Sequence, residues 1–262
     1  MKKFLLVSLL ATVLLTSCTK KAAVKERTLN IGIQPSAVFI PLYVAREKGW
    51  IEEALAPSNV KVAYHDFESG PPMNEGLAAG ILDIVSTGDV PTVSAIAAGQ
   101  KVEVVGIPGN GPDAYAMLAR ADDTTINSGK DLKGKKVATV VGSTGHNLTK
   151  KILTKYGYTF DHIEFINIGA GEVGIVLSTG QVDAAVIWEP NVTRLTDNGT
   201  AKVIEYGSAT NLTGTNTFLA RSKYVEDNQD VISVVLEQYA RAVKALPTMD
   251  EATLKKWIAG LL

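Results

Sequence analysis

The sequence predicts an α/β protein of two lobes, and three observations predict it. Short β-rich runs alternate with amphipathic stretches from Leu29 onward, the pattern of strands followed by covering helices. The alternation restarts at Lys136, after an extended segment at residues 114–119. A spaced pattern also recurs. Leu77-x-x-Gly80-x-x-Asp83 returns as Leu177-x-x-Gly180-x-x-Asp183, and Asp89 with Pro91 is answered by Glu189 with Pro190. No repeat of solenoid period accompanies it, so this is a two-copy pattern.

Each element follows from local chemistry. Residues 29–33 read as a strand, broken by Gln34-Pro35-Ser36. Pro41 opens a helix that Gly49 ends, because proline suits a first turn and glycine a C-terminus. Residues 60–67 form the second strand, and Ser69-Gly70-Pro71-Pro72 turns into a helix through Ala79. Residues 82–85 read as a strand, Ser86-Thr87-Gly88-Asp89 as a turn, and 91–98 as a helix with Asp89 as its N-cap. A strand at 102–107 precedes a Gly/Pro-rich loop at 108–112. In the second copy, strands fall at 136–141, 163–168, 184–187 and 201–204; Gly142-Ser143-Thr144-Gly145-His146 is a turn into a helix running to about Tyr156, and further helices span 172–179 and start at Pro190. Asp83 and Asp183 each organise a turn before a strand. Residues 215–220 read as a strand of either lobe. Ile232, Val235, Leu236, Tyr239, Val243 and Leu246 mark one face of a long helix, and Thr248 with Glu251 suits a capping box for another.

The N-terminus reads as an export signal. Lys2 and Lys3 precede an apolar run at residues 4–15, shorter than the roughly 20 residues of a spanning helix. Leu15-Thr16-Ser17-Cys18 resembles the bacterial lipobox, in which the cysteine becomes the lipidated N-terminus. Cys18 is the single cysteine of the chain, so lipidation explains it without a disulfide. Residues 19–27 are polar and basic and suit a tether. The net charge of −1 supplies no field for nucleic acid.

Candidate ligand residues lie at strand-to-helix turns, where open α/β sheets bind their ligands. Gly142-Ser143-Thr144-Gly145-His146-Asn147 is the richest. Its glycines admit close approach, its helix N-terminus favours an anion, and Ser143, Thr144 and Asn147 add neutral donors. Read without a ligand, the same segment is a well-capped helix start. Thr87 and Gly88, Ser69 and Gly70, and Gln34 and Ser36 offer further polar turns. Together they supply neutral donors from both lobes and little fixed positive charge, which suits a desolvated oxyanion. Trp188, beside Glu189, either covers an apolar part of the ligand or packs on its own lobe.

Enzyme chemistry is poorly represented. There is no Walker sequence and no Gly-x-Ser-x-Gly elbow. His65, His146 and His162 are not paired at metal-ligand spacing. His146 reads as a donor or helix-start residue rather than a base. No catalytic residue, metal or cofactor is expected.

Several motifs in order resemble a known family. They are Phe67-x-Ser69-Gly70-Pro71, Thr87-Gly88-Asp89-x-Pro91, Leu132-Lys133-Gly134-Lys135-Lys136-Val137-Ala138, Gly142-Ser143, His146-Asn147-Leu148, Val182-Asp183-Ala184 and Trp188-Glu189-Pro190. Over residues 28–220 the chain is similar to the aliphatic sulfonate, taurine and nitrate group of solute-binding proteins. The resemblance implies a type II periplasmic binding-protein fold, two α/β lobes joined by two hinge crossings around a cleft. Its lobes would comprise 28–113, 114–212 and a return at 213–262, after a signal at 1–17 and a tether at 18–27. It implies delivery of a small anion to an ABC permease and its ATPase, and with the lipobox at Cys18 the chain is expected to be a lipid-anchored monomer. The anion would meet Ser69-Gly70, Thr87-Gly88 and Ser143-Thr144, near Trp188. Relatives on this framework bind nitrate, thiamine-precursor pyrimidines or other organic acids, and some enzymes of cofactor-precursor biosynthesis share the fold. Relatives also continue for some tens of residues past the position of Leu262.

Overall fold

The computed structural model describes residues 26–259; the expected export signal and Cys18 lie outside them. The chain runs through β1 (Arg27–Ile33), α1 (Ile40–Glu47) and α2 (Trp50–Leu55). It continues through β2 (Val60–Asp66), α3 (Gly70–Ala78), β3 (Ile84–Gly88), α4 (Asp89–Ala97) and β4 (Val102–Asn110). It then crosses to a second sheet with β5 (Tyr115–Arg120), β6 (Lys136–Thr139), α5 (Thr144–Lys155), β7 (Glu164–Asn167) and α6 (Val173–Ser178). β8 (Ala184–Trp188), α7 (Asn191–Asp197) and β9 (Ala201–Tyr206) complete that sheet and its helices. β10 (Thr215–Arg221) returns to the first sheet, and α8 (Ser222–Asp227), α9 (Gln229–Ala245) and α10 (Glu251–Ala259) follow.

The strand orders match, β2-β1-β3-β10-β4 in one sheet and β7-β6-β8-β5-β9 in the other. In each sheet three parallel strands meet one antiparallel strand, β10 or β5, that has arrived from the other lobe. The central strands β3 and β8 are buried at every position, as strands covered on both faces must be. Each lobe closes its own core. Ile31, Leu42, Ile84, Phe218 and Val235 belong to the first, and Leu118, Val137, Leu148, Ile152 and Ile187 to the second.

The repeated sequence pattern becomes a repeated hydrogen-bond pattern. Gly80 and Gly180 take φ of +72° and +69°, left-handed conformations that end α3 and α6. Their N–H groups donate to Leu77 and Leu177 O, both at 3.1 Å. Asp83 N–H donates to Asn30 O and Asp183 N–H to Lys136 O, both at 2.9 Å. The two carboxylates accept in return from Asn30 N–H at 2.8 Å and Lys136 N–H at 2.7 Å. Each aspartate therefore pins a neighbouring strand, Asp83 within β1 and Asp183 at the first residue of β6, and Asp83 also pairs with Arg221 of β10.

Four local expectations are corrected. Ser86 to Gly88 belong to β3 rather than to a turn, because β10 supplies a long-range ladder opposite them. Asp89 is the first residue of α4, and Gly88 is its N-cap. Residues 108–110 extend β4 through Pro108, which an edge strand tolerates. The carboxylate that accepts Thr253 N–H at the start of α10 is Asp250, at 2.8 Å, while Thr248 bonds back to Ala245 O. α2, which starts directly after Gly49, had no separate signal.

A buried carboxylate ties the second lobe together. Glu205 of β9, 7% exposed, accepts from Gly129 N–H and Lys155 Nζ, each at 3.0 Å, and from the Tyr156 hydroxyl. Glu205→Ala would leave the Gly129 N–H buried without an acceptor. A loss of about 2–3 kcal/mol is expected, read as a lower denaturant midpoint.

Candidate functional site

Three helices begin where strands of both sheets end. α3 opens at Ser69 and Gly70, with prolines at the next two positions, so few free N–H groups remain on its first turn. α4 follows β3 without a loop. The Thr92 hydroxyl donates to Gly88 O at 2.8 Å and meets the Thr217 hydroxyl at 2.6 Å, which fixes the start of α4 against β10. α5 opens at Ser143, whose hydroxyl accepts His146 N–H at 3.2 Å and donates to Val140 O at 2.7 Å.

These starts converge on one cavity of about 20 Å³ between the lobes. Its walls are Gln34, Ser36, Gly70, Gly88, Pro91 and Asn216 from one lobe and Tyr115, Ser143, Thr144 and Trp188 from the other. Among the described residues no charged side chain lines it. Close approach demands glycine at two points. A Cβ at position 70 would lie 2.4 Å from the Thr87 hydroxyl and 2.5 Å from the Pro91 ring. A Cβ at position 88 would lie 2.5 Å from Thr144 Oγ1, across the cleft.

The lobes are held closed by polar contacts at this cavity. Thr144 Oγ1 donates to Asp89 Oδ1 at 2.7 Å, Trp188 Nε1 to Pro35 O at 2.9 Å, and Ala37 N–H to Glu189 O at 3.1 Å. The Tyr115 hydroxyl donates to Asn216 Oδ1 at 3.3 Å. Burial, and then the charge of Asp89, push the Tyr115 hydroxyl up to about 12, so it stays protonated as a donor. Behind the cavity the two crossings touch, Gly111 N–H donating to Gly214 O at 3.2 Å. The Thr87 hydroxyl is buried and has no hydrogen-bond partner among the described residues.

The residues singled out in the sequence fall into four groups. Gln34, Ser36, Gly70, Gly88, Ser143, Thr144 and Trp188 line the cavity. Ser69 and Thr87 are buried just behind it. His146 and Asn147 lie in an adjoining outer groove. Glu189 turns its carboxylate to Thr193 N–H and hydroxyl, at 3.0 and 2.9 Å, and offers the other lobe only its carbonyl. Burial, then Lys150, lower the affinity of His146 for a proton, and its Nδ1 accepts Gly142 N–H at 3.2 Å.

Tyr115 and Asn216 lie near the starts of strands, so strand-to-helix turns in the sequence do not point to them. β5 and β10 run antiparallel to their neighbours, so their first residues reach the cleft: Tyr115 pairs with Trp188, and Asn216 with Gly88. Among the described residues no three His, Cys, Asp or Glu side chains are grouped to hold a metal, and no helix is long and apolar enough to cross a membrane.

Comparison with known proteins agrees with this architecture. The NMT1/THI5 like family matches residues 36–249. A Bacillus subtilis (strain 168) protein, provisionally named an aliphatic sulfonates-binding protein, is 34% identical over 93% of the chain and 74% of its own length. An Escherichia coli (strain K12) protein of the same provisional name is 33% identical over 82% of the chain, which spans 65% of that relative. The solved alkanesulfonate-binding protein of Xanthomonas axonopodis pv. citri, bound to MOPS, superposes with a TM-score of 0.81 at 29% identity, covering 91% of this chain and 80% of its own. These relatives are named as binding proteins, not enzymes. Matched over most of its length in sequence and over both sheets in structure, the chain belongs to the NMT1/THI5-like family and has the fold of a periplasmic binding protein.

Proposed function

We propose that the chain is the lipid-anchored, extracytoplasmic solute-binding component of an ABC importer, and that its solute is a small organic anion, an aliphatic sulfonate or taurine. The observation that carries the reading is the cavity between the lobes, where helix starts from both sides meet neutral polar groups, with the Asp89 carboxylate engaged by the Thr144 hydroxyl beside it. A sulfonate has three acceptor oxygens and no proton to lose, so it needs only donors around it. Helix N-termini and neutral hydroxyls supply these without a buried cation. Two aliphatic sulfonates-binding relatives and a structural neighbour solved with a sulfonate, MOPS, support the same ligand class.

The closed cavity of about 20 Å³ has room for a water rather than a sulfonate group. Loading therefore requires the lobes to part, breaking the Thr144–Asp89, Trp188–Pro35 and Ala37–Glu189 contacts. A calorimetric panel of methanesulfonate, taurine, nitrate and a thiamine-precursor pyrimidine, on protein lacking the leader, tests the assignment. Binding of sulfonates is expected; pyrimidine or nitrate binding with no response to any sulfonate overturns it. For the anchor, Cys18→Ala is expected to release the protein from membranes on fractionation, and retention would mean that Cys18 is not the attachment point.

A further inference from the structure

The turn that brings α5 to the cavity hangs on three side chains. Val141 N–H donates to Asn167 Oδ1 at 2.9 Å, and Gly142 N–H donates to His146 Nδ1 at 3.2 Å. The Ser143 hydroxyl accepts His146 N–H at 3.2 Å and donates to Val140 O at 2.7 Å. Ser143 and His146 are thus the N-cap and third residue of a reciprocal cap, in which imidazole replaces the usual glutamate or glutamine and reaches one residue further back, to Gly142. Nδ1 accepts only while it carries no proton, so the ring proton sits on Nε2. Of the three side chains, His146 alone changes its charge near neutral pH.

The surroundings of the ring oppose a second proton. Phe165 stacks on it with centroids 5.2 Å apart, and Phe160 meets it edge-on at 5.1 Å. Two charged groups share the groove between α4 and α5 with it, Lys150 on α5 and Asp89 on α4 of the other lobe. Asp89 favours an imidazolium, but its Oδ1 is already engaged by the Thr144 hydroxyl at 2.7 Å and Val90 N–H at 2.8 Å. Burial, then Lys150, hold the proton affinity of the ring below its ordinary value of 6.5. An imidazolium would also stand at the positive end of the twelve-residue α5. Protonation therefore removes the acceptor of Gly142 N–H and places an opposed charge at the helix start.

We propose that His146 is a positioning residue: its neutral imidazole holds residues 142–144 in the conformation that receives the solute, and acid releases that hold. The proposal rests on the sulfonate reading above. Ser143 and Thr144 line the cavity, so a turn that loses its cap loosens one wall of the site. A group whose proton affinity is lowered in the folded state contributes fully above its ordinary pKa, and the contribution is lost as pH falls through the lower one. Affinity is therefore full above 6.5 and falls on the acid side of it. A sulfonate stays ionised throughout, so the charge of the solute is constant across this window.

The test is calorimetry with methanesulfonate on mature protein from about pH 8 to about pH 5, the range over which histidine titrates. Wild-type affinity is expected to fall about three- to tenfold across it, as one competing proton allows. His146→Asn keeps an acceptor at the δ position and does not titrate. It is expected to bind within about threefold of the wild type at the alkaline end and to show no such fall. His162, whose Nδ1 accepts Thr159 N–H at 3.1 Å away from the cavity, is the control, and His162→Gln is expected to keep the wild-type profile. A flat wild-type profile, a fall that survives in His146→Asn, or a fall lost in His162→Gln overturns the proposal. If no sulfonate binds at any pH, the solute reading fails by itself, and amide exchange at Gly142 in the ligand-free protein decides the cap. Protection lost in acid by the wild type and kept by His146→Asn upholds it; equal protection across the range overturns it.

Discussion

Gly88→Val is expected to leave both lobes folded and to remove tight solute binding. The backbone at Gly88 has φ −82° and ψ 174°, ordinary extended values that valine adopts readily. The atoms a Cβ would meet there belong to the opposite lobe: Thr144 Oγ1 at 2.5 Å and the Tyr115 hydroxyl at 3.7 Å. The substitution is therefore silent while the lobes are apart and obstructive when they close. If closure becomes a one-in-a-hundred conformation, apparent affinity falls about 100-fold. Calorimetry reads the affinity, thermal unfolding without ligand reads the fold, and small-angle scattering with saturating ligand reads an extended particle. Wild-type affinity would show that closure does not pass through this contact.

Thr144→Asp carries a comparable effect through charge. Thr144 is 3% exposed, lines the cavity and lies 2.7 Å from Asp89 Oδ1. A carboxylate there faces both Asp89 and any bound anion. Two like charges about 4 Å apart at an effective dielectric of about 20 repel by about 4 kcal/mol, roughly a thousandfold in affinity. Thr144 is buried, so added salt should rescue little of the loss. Thr144→Ser keeps the hydroxyl and is expected to bind within a few-fold of the wild type. Unchanged affinity in Thr144→Asp would remove this turn from the site.

Much of the scaffold was legible because its signals are local. Gly80 and Gly180 end helices, Asp83 and Asp183 pin strands, and Ser143 caps α5, each through contacts encoded within a few residues or at matching places in the two copies. The site was legible where it coincides with those helix starts. What escaped depends on partners distant in sequence. Ser86 and Thr87 carry turn chemistry, yet they become strand because β10, more than a hundred residues later, lies opposite them. Tyr115 and Asn216 reach the cavity because their strands run backwards relative to their neighbours, a property of topology rather than of composition. The groove between α4 and α5 exists only once both lobes are placed.

The same two residues have a mechanical consequence. Tyr115 and Asn216 follow directly on the crossings that Gly111 and Gly214 stitch together, so this wall of the cavity sits beside the two connections about which any turning of the lobes would occur. α4 and α5 run outward from it and form the long arms of that lever. A small rotation that hardly disturbs the base of the cavity therefore separates the groove walls widely. A solute bound head-inward, as proposed, would be uncovered from its outer end first and would keep its deepest contacts longest.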